Sequence, residues 1–215
     1  MVFHNPQRNV SKFLPQLKLD GVNIETVNSF DFLCIILDKH LTWKDHIQKI
    51  SNRISCSIGV INRLKRFIPQ PILKIIYNSM ILPYLNYSIL TWGTKSKRLQ
   101  KLQKWAIRTI TNSKYNSHCD PLFKKLHLLK IQGVYTLSCL KFYYRYTNKS
   151  LPSYFETIFD VTHPPHDYNT RNRLAYHPPI SRTSLAKSSI RFRIPHIVKD
   201  TGACILEKKN THSLL

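Results

Sequence analysis

The feature that most constrains the fold is a run of apolar side chains that recur every three or four residues after Thr42. The run comprises Trp43, Ile47, Ile50, Ile54, Ile58, Ile61 and Leu64. This spacing places all of them on one face of a helix, so the sequence predicts a long amphipathic helix with a buried side. Thr42, followed three residues later by Asp45, predicts the N-cap. Pro69 and Pro71 end the helix, and Pro71 suits the first turn of a second one.

A proline and a glycine divide the next part of the chain into shorter helices. Pro83 interrupts the second helix, and Gly93 ends it. Ser96 is predicted to cap a third helix. The inward positions of that helix are Leu99, Leu102, Ala106 and Ile110. Further helices are predicted to start at 120–121 and to span 134–146, so the middle of the chain is a helical bundle.

Neither end of the chain shows this helical period. Asp20-Gly21, between alternating apolar residues, predicts a hairpin turn, and the apolar run 30–38 predicts a short buried strand. From Thr162 the chain is rich in proline and polar residues, which predicts an extended loop. The alternation at 190–194 predicts a short strand or extended arm. The fold class is therefore α+β and mainly α: short N-terminal strands or a hairpin, then helices, then an extended C-terminal tail.

The charge of the chain indicates a polyanionic partner. Lys and Arg number 33 against 11 Asp and Glu, a formal net charge of +22. No acidic residue lies between Asp45 and Asp120, whereas an ordinary helical surface mixes both signs. Nucleic acid is the commonest partner of such a surface, and an anionic membrane surface is the main rival. The apolar window 72–92 is broken by Lys74 and Pro83, so it predicts core helices rather than a membrane span.

The third predicted helix carries a continuous row of cations opposite its apolar face. We call this row the basic stripe; it consists of Lys97, Lys101, Lys104 and Arg108. Trp105 lies beside it and could either stack on bases or belong to the core, whereas Trp43 and Trp92 are predicted to be core residues. The predicted nucleic-acid-binding residues are Lys97, Lys101, Lys104, Arg108, Trp105, Arg53, Arg63, Lys65 and Arg66.

No catalytic or metal-binding constellation is evident. A two-metal polymerase site needs paired carboxylates, and the chain has no Asp-Asp pair. His118-Cys119, His163 with His166, and Cys204 with His212 lack the spacing of a structural zinc site. The number of cysteines, five, is odd, and no two of them form a CxxC pair. The sequence therefore does not indicate a disulfide framework. Together with the absence of an apolar leader after Met1, this predicts the nucleus or cytoplasm rather than secretion.

Several motifs, in order, resemble the region that follows the palm in LINE-type, jockey-like non-LTR retrotransposon reverse transcriptases. The segment 27–54 resembles a strand and helix start carried by Phe32, Leu33, Asp38, Leu41, Thr42, Trp43, His46 and Ile47. The segment 73–93 resembles a second motif carried by Tyr77, Pro83, Leu85, Tyr87, Trp92 and Gly93. LQKLQKWAIRTI, PLFKKLHLLKI, LPSYFETIF and YNTRNR follow in the order of that family. One departure is Cys34, which stands where the family has a glycine.

The resemblance implies a fragment that begins after the catalytic Asp-Asp turn of the polymerase. Residues 1–40 would be truncated palm-edge and primer-grip strands, 41–160 a helical thumb-like domain, and 161–215 a proline-rich extended tail with a short strand. The chain would bind an RNA or DNA duplex, and not a membrane, without catalysis of its own. The missing palm and fingers would be partners, and Mg²⁺ would act only in the full-length polymerase. The alternatives are an independent or domesticated nucleic-acid-binding or scaffold protein and, disfavoured by the lone carboxylates, a small intact enzyme.

Overall fold

The structure is a computed structural model that describes residues 1–4, 17–155, 157–159 and 180–201. Its N-terminal part contains two antiparallel strand pairs. The four strands are β1 (Lys18–Leu19), β2 (Val22–Asn23), β3 (Ser29–Phe32) and β4 (Ile35–Asp38). β1 pairs with β2 across the Asp20-Gly21 turn, which confirms the predicted hairpin turn, and β3 pairs with β4.

The rest of the described chain is mainly helical, as predicted. The helices are α1 (Lys44–Leu64), α2 (Gln70–Met80), α3 (Leu82–Asn86), α4 (Ile89–Trp92), α5 (Lys97–Ile110), α6 (Cys119–Lys125), α7 (Ile131–Thr147), α8 (Ser184–Ser188) and α9 (Ile190–Thr201). Pro71 lies in the first turn of α2, and Pro83 in the first turn of α3, where a missing N–H costs no helical hydrogen bond. The predicted break at Pro83 is therefore confirmed.

The described residues form two compact units, of which the first comprises those within 1–88 and 95–128. In this unit α1 packs against α5 and α2. The predicted inward face of α1 is buried from Trp43 to Ile61, and Leu64 is half-buried. The hydroxyl of Ser57 on α1 donates to the backbone oxygen of Met80, so the end of α2 lies beside the middle of α1. α1 and α2 thus form an antiparallel pair.

The second unit comprises residues 89–94 and the described residues from 129 to 201. Here α7 packs against α4 and α9. Its core includes the fully buried Trp92, Ile131, Cys139 and Ile194. Burial raises the pKa of the Cys139 thiol to about 11, although Tyr135 and Arg193 lower it. Cys139 is therefore a protonated core residue at neutral pH.

The predicted buried strand at 30–38 is wrong. Leu33 and Cys34 both have positive φ, 49° and 65°, and form a two-residue turn that divides the run into β3 and β4. Two-residue hairpin turns with positive φ match the twist of the strands on either side. β3 is exposed and β4 is only half-buried. Because each strand pairs with only one described neighbour, the apolar residues of the run stay accessible.

The predicted N-cap at Thr42 is also wrong. α1 begins at Lys44, and its N-cap is Trp43 in a left-handed conformation without a side-chain cap. Asp38 instead holds the segment before the helix: its carboxylate accepts hydrogen bonds from the backbone N–H of Thr42 and of Trp43, each at 2.9 Å, and from the Thr42 hydroxyl at 3.0 Å. The carboxylate at the end of β4 thus holds the two residues that precede α1, and the N-cap residue supplies no side-chain cap. Ser96 is the N-cap of α5, as predicted, but makes no side-chain cap hydrogen bond.

The predicted short strand or arm at 190–194 is wrong, because these residues form the start of α9. A helix brings Ile190 and Ile194 onto one face, four residues apart, and Ile197 continues that face. Ile194 is fully buried, in keeping with the packing of α9 against α7. The loop predicted from Thr162 extends to Ser189. Its part up to residue 179, with the YNTRNR motif, falls outside the described residues, as do 202–215. Its last part was wrongly predicted as loop, because Ser184–Ser188 form α8.

Candidate nucleic-acid interface

The candidate interface is the outward side of α5. Three of the four predicted inward residues, Leu99, Ala106 and Ile110, are buried, and Leu102 is half-buried. Ile107 completes the apolar face. This face is what docks α5 against α1 and α2. The basic stripe consequently lies on the side of the helix that leads away from the core.

Side-chain hydrogen bonds fix the position of α5 within the first unit. Near its start, the guanidinium of Arg98 donates to the Gln48 side chain of α1. At its centre, Gln103 Nε2 donates to the Tyr77 hydroxyl of α2 at 2.9 Å, and both residues are buried. Sequence reasoning missed Gln103, because a lone polar residue on an apolar helix face gives no signal of burial. The stripe is therefore carried by a helix that is held at both its start and its middle.

Three members of the stripe make no contact that would neutralise them. We call Lys97, Lys101 and Lys104 the α5 lysines. No ion pair or side-chain hydrogen bond joins them to a described residue, and the first two are exposed while Lys104 is half-exposed. Positions 97, 101, 104 and 108 project within about 60° of each other and span about 16 Å of helix. That length corresponds to roughly five phosphates along one strand of a duplex.

The fourth member, Arg108, has a structural task that the sequence did not reveal. It is half-buried, and its Nε donates to the backbone oxygen of Ser117 at 3.1 Å. Its guanidinium carbon lies 5.8 Å from the centre of the Tyr115 ring, within the range of a cation–π contact. Arg108 thus ties the loop after α5 to the helix while still contributing a positive charge.

The remaining predicted cations lie on or just after α1. Arg53, Arg63 and Arg66 are exposed, and Lys65 is half-exposed. Arg53 and Arg63 are ten residues apart, so they point about 80° away from each other. Arg63 and Lys65 lie at the C-terminal end of α1, where cations also stabilise the helix dipole. No contact among the described residues joins this group to the basic stripe.

The three tryptophans differ in exposure. Trp43 and Trp92 are buried, which confirms their assignment to the core. Trp105 is 47% exposed, so its ring is accessible beside Lys104. Tyr115 is one of the aromatic residues that lie among the cations in the sequence, where rings can stack on bases. It is 83% exposed and follows Lys114, directly after the basic helix.

The carboxylates of the described residues occur singly, with separate tasks. Asp31 forms an ion pair with Lys49 at 2.5 Å. Asp38 accepts a hydrogen bond from the backbone N–H of Trp43, just before α1. Asp45 and Asp120 lie in the first turns of α1 and α6, as predicted. Within the described ranges, no three His, Cys, Asp or Glu side chains cluster as metal ligands would. His163, His166, Cys204 and His212 are outside those ranges.

Two further predictions concern cysteines and membranes. Of the five cysteines, Cys34, Cys56, Cys119 and Cys139 are free thiols, and Cys204 lies outside the described residues. None of the helices in the described part of the chain has the length and apolar character needed to cross a membrane.

Comparison with known proteins gives one distant relationship to a polymerase. The chain is 26% identical over 145 residues to a probable RNA-directed DNA polymerase from transposon BS of Drosophila melanogaster. The match covers 60% of this chain but 16% of that protein, so the chain corresponds to a small part of its relative. No protein-family profile matches the chain. No solved structure matches it. The sequence relationship therefore links the chain to a transposon reverse transcriptase.

Proposed function

We propose that this chain is the post-palm, thumb-like part of a LINE-type reverse transcriptase, and that it holds template–primer nucleic acid without catalysing synthesis itself. The relationship to a transposon RNA-directed DNA polymerase supports the polymerase origin. The order of the motifs from 27–54 to 168–173 supports the region and the subtype. The α5 lysines, accessible and without a described acidic partner on a docked helix, carry the proposal of nucleic-acid binding.

The proposed binding mode is contact with phosphates. Lysines at this spacing meet the backbone of a nucleic acid, and such contacts position a duplex without reading its bases. Each neutralised phosphate releases condensed counterions, so affinity falls as salt rises. No acidic residue between Asp45 and Asp120 weakens this attraction from within the same stretch of sequence. We therefore propose salt-sensitive, sequence-tolerant binding of duplex or structured RNA, in the nucleus or cytoplasm.

Salt titrations of a triple variant test this proposal. In K97Q/K101Q/K104Q the α5 lysines lose their charges, while Arg108 keeps the following loop in place. We expect weaker binding to a blunt RNA duplex, measured by fluorescence anisotropy. The slope of log K against log salt should become shallower by about 0.9 for each lost phosphate contact.

A charge-matched variant provides the control. K124Q/K125Q/K141Q removes three exposed lysines from α6 and α7, so its net charge equals that of the triple variant. We expect its salt slope to stay close to that of the parent. Equal losses in both variants would show that only net charge matters, and parent-like binding by the α5 variant would show that α5 is not the interface. Circular dichroism verifies that helix content is unchanged.

The proposal that the chain is not catalytic by itself depends on its lack of an Asp-Asp pair. Mg²⁺ would then act only in the full-length polymerase, whose palm and fingers would be the partners of this chain. Metal-dependent nucleotide incorporation by a pure preparation would contradict this part of the proposal.

A further inference from the structure

We propose that an unpaired nucleobase stacks on the ring of Tyr115, and that Arg108 positions this ring at the C-terminal end of the basic stripe. The inference rests on the proposed function and specifies it further. The ligand would be a duplex held through its phosphates by the α5 lysines, with a single-stranded extension that reaches the loop after α5.

The first observation is that Tyr115 is an exposed ring on an anchored loop. Its 83% exposure shows that it contributes little to the core. The loop nevertheless has a defined shape, because Ser113 N–H donates to the Arg108 backbone oxygen at 3.0 Å and Ser117 N–H donates to the Lys114 oxygen at 3.0 Å. The Thr111 and Ser113 hydroxyls are also within hydrogen-bond distance, at 2.8 Å. A ring held in place loses little conformational entropy on binding a base.

The second observation is the side chain that holds the ring. Arg108 bonds the Ser117 backbone oxygen through Nε and places its guanidinium 5.8 Å from the Tyr115 ring centre. The loop and the ring are thereby fixed relative to α5, which also carries the α5 lysines. The distance between the phosphate contacts and the aromatic surface is then set by one rigid helix.

The third observation is the chemical character of the surroundings. Trp105, 47% exposed, lies three residues before Arg108 and therefore on a neighbouring part of the helix surface. Lys104 and Lys114 add charge on either side. Cations interleaved with accessible aromatic rings are the combination that binds single strands, through backbone attraction and base stacking. An acidic protein partner would use the cations but would not need the rings, so the aromatic content favours a nucleic acid.

Two RNA probes test the inference with the full chain. One is a blunt duplex, and the other is the same duplex with a single-stranded extension that carries 2-aminopurine at its first unpaired position. For Tyr115→Ala we expect binding to the extended duplex to weaken about tenfold, which corresponds to the loss of one stacked base. Binding to the blunt duplex and the salt slope should not change. Tyr115→Phe keeps the ring and should quench 2-aminopurine as the parent does.

Tyr154 offers a matched control, because it is 86% exposed and lies in a short 3-10 turn (Ser153–Phe155) that is not part of α5 or of the loop after it. Tyr154→Ala should bind both probes like the parent. Arg108→Lys keeps the charge but not the Nε hydrogen bond, so it should reduce 2-aminopurine quenching at an unchanged salt slope. That pattern distinguishes a positioning residue from a phosphate contact.

Two results would overturn the inference. These are equal weakening of binding to both probes by Tyr115→Ala, and 2-aminopurine quenching in that variant that equals the parent's. Failure of the proposed function has a different signature, since K97Q/K101Q/K104Q would then bind the blunt duplex as the parent does. The two ideas therefore fail on different variants and different probes.

Discussion

The Gln103 amide of α5 donates a hydrogen bond to the Tyr77 hydroxyl of α2 inside the core, with 2.9 Å between Nε2 and the phenol oxygen. Burial raises the pKa of Tyr77, and the bond from Gln103 lowers it in part. Tyr77 is therefore a neutral acceptor at physiological pH. This contact holds the helix that carries the basic stripe, so it connects the stability of the bundle with the geometry of the proposed interface.

Tyr77→Phe is expected to destabilise the protein by about 1 kcal/mol, because it removes the acceptor of a buried hydrogen bond without removing the ring. Urea unfolding followed by circular dichroism measures the change. Tyr84→Phe is the control, since Tyr84 is exposed and loses only a solvated hydroxyl. Equal stabilities for the two variants would contradict the role of this bond.

Asp38→Asn is expected to cost about 1 kcal/mol, because a neutral amide accepts the hydrogen bonds from Thr42 and Trp43 less strongly than the carboxylate does. Partial burial raises the pKa of Asp38, but the hydrogen bonds from Thr42 and Trp43 outweigh it and lower the pKa from its ordinary value of 3.8. Because the pKa of the Asp38 carboxyl is lower in the folded than in the unfolded protein, its ionised form stabilises the folded state. This contribution is complete at pH values above the unfolded-state pKa. This stabilisation is lost as the pH falls through the folded pKa.

The pH dependence separates this effect from a general loss of packing. Below about pH 4 the difference in unfolding free energy between the parent and Asp38→Asn should shrink, whereas at neutral pH it should be complete. Asp20→Asn, in the exposed turn between β1 and β2, is the control and should follow the parent. If the difference in unfolding free energy between the parent and Asp38→Asn stays constant down to acid pH, the charge of Asp38 is not what stabilises this segment.

Cys34→Gly is expected to stabilise the β3–β4 hairpin by about 1 kcal/mol, because a glycine has no Cβ to oppose a φ of 65°. The Tyr87 hydroxyl donates to the Leu33 backbone oxygen at 2.7 Å, so the turn is tied to the first unit and its strain should affect overall stability. Cys34→Ala retains the Cβ and should bring no gain. If both variants raise the melting temperature equally, the thiol rather than the backbone is responsible.

Gly93→Ala is expected to destabilise the second unit by about 1–3 kcal/mol, the range for overpacking. A Cβ at this position would overlap the ring of Tyr135 and crowd Ile89. Gly59→Ala is the matched control, because a Cβ on that α1 residue meets no atom within 4 Å. The control should gain up to about 1 kcal/mol from helix propensity. Thermal unfolding should therefore shift in opposite directions for the two alanines.

The sequence by itself determined most of the helical part. The period of three and four from Trp43 to Leu64 predicted α1, and Pro71 and Pro83 predicted where the following helices start. These signals are local, since a proline excludes a helix interior and a long apolar face excludes a strand whatever surrounds it. The opposed apolar and basic faces of α5 were predictable for the same reason. The N-terminal turn at Asp20-Gly21 was equally local.

Only the tertiary structure decided which partners particular side chains bind and which secondary structure the short segments adopt. An alternation over five residues at 190–194 fits a strand or one face of a helix, and the contact of α9 with α7 determined the outcome. Asp38 binds the residues that lead into α1 because the β4 strand ends beside them. Arg108 binds the loop after α5 because the backbone oxygen of Ser117 lies within reach, in an irregular segment. Gln103 is buried because it meets Tyr77, which is distant in sequence. Such roles depend on which groups meet in space, and a local pattern of residue types carries no information about that.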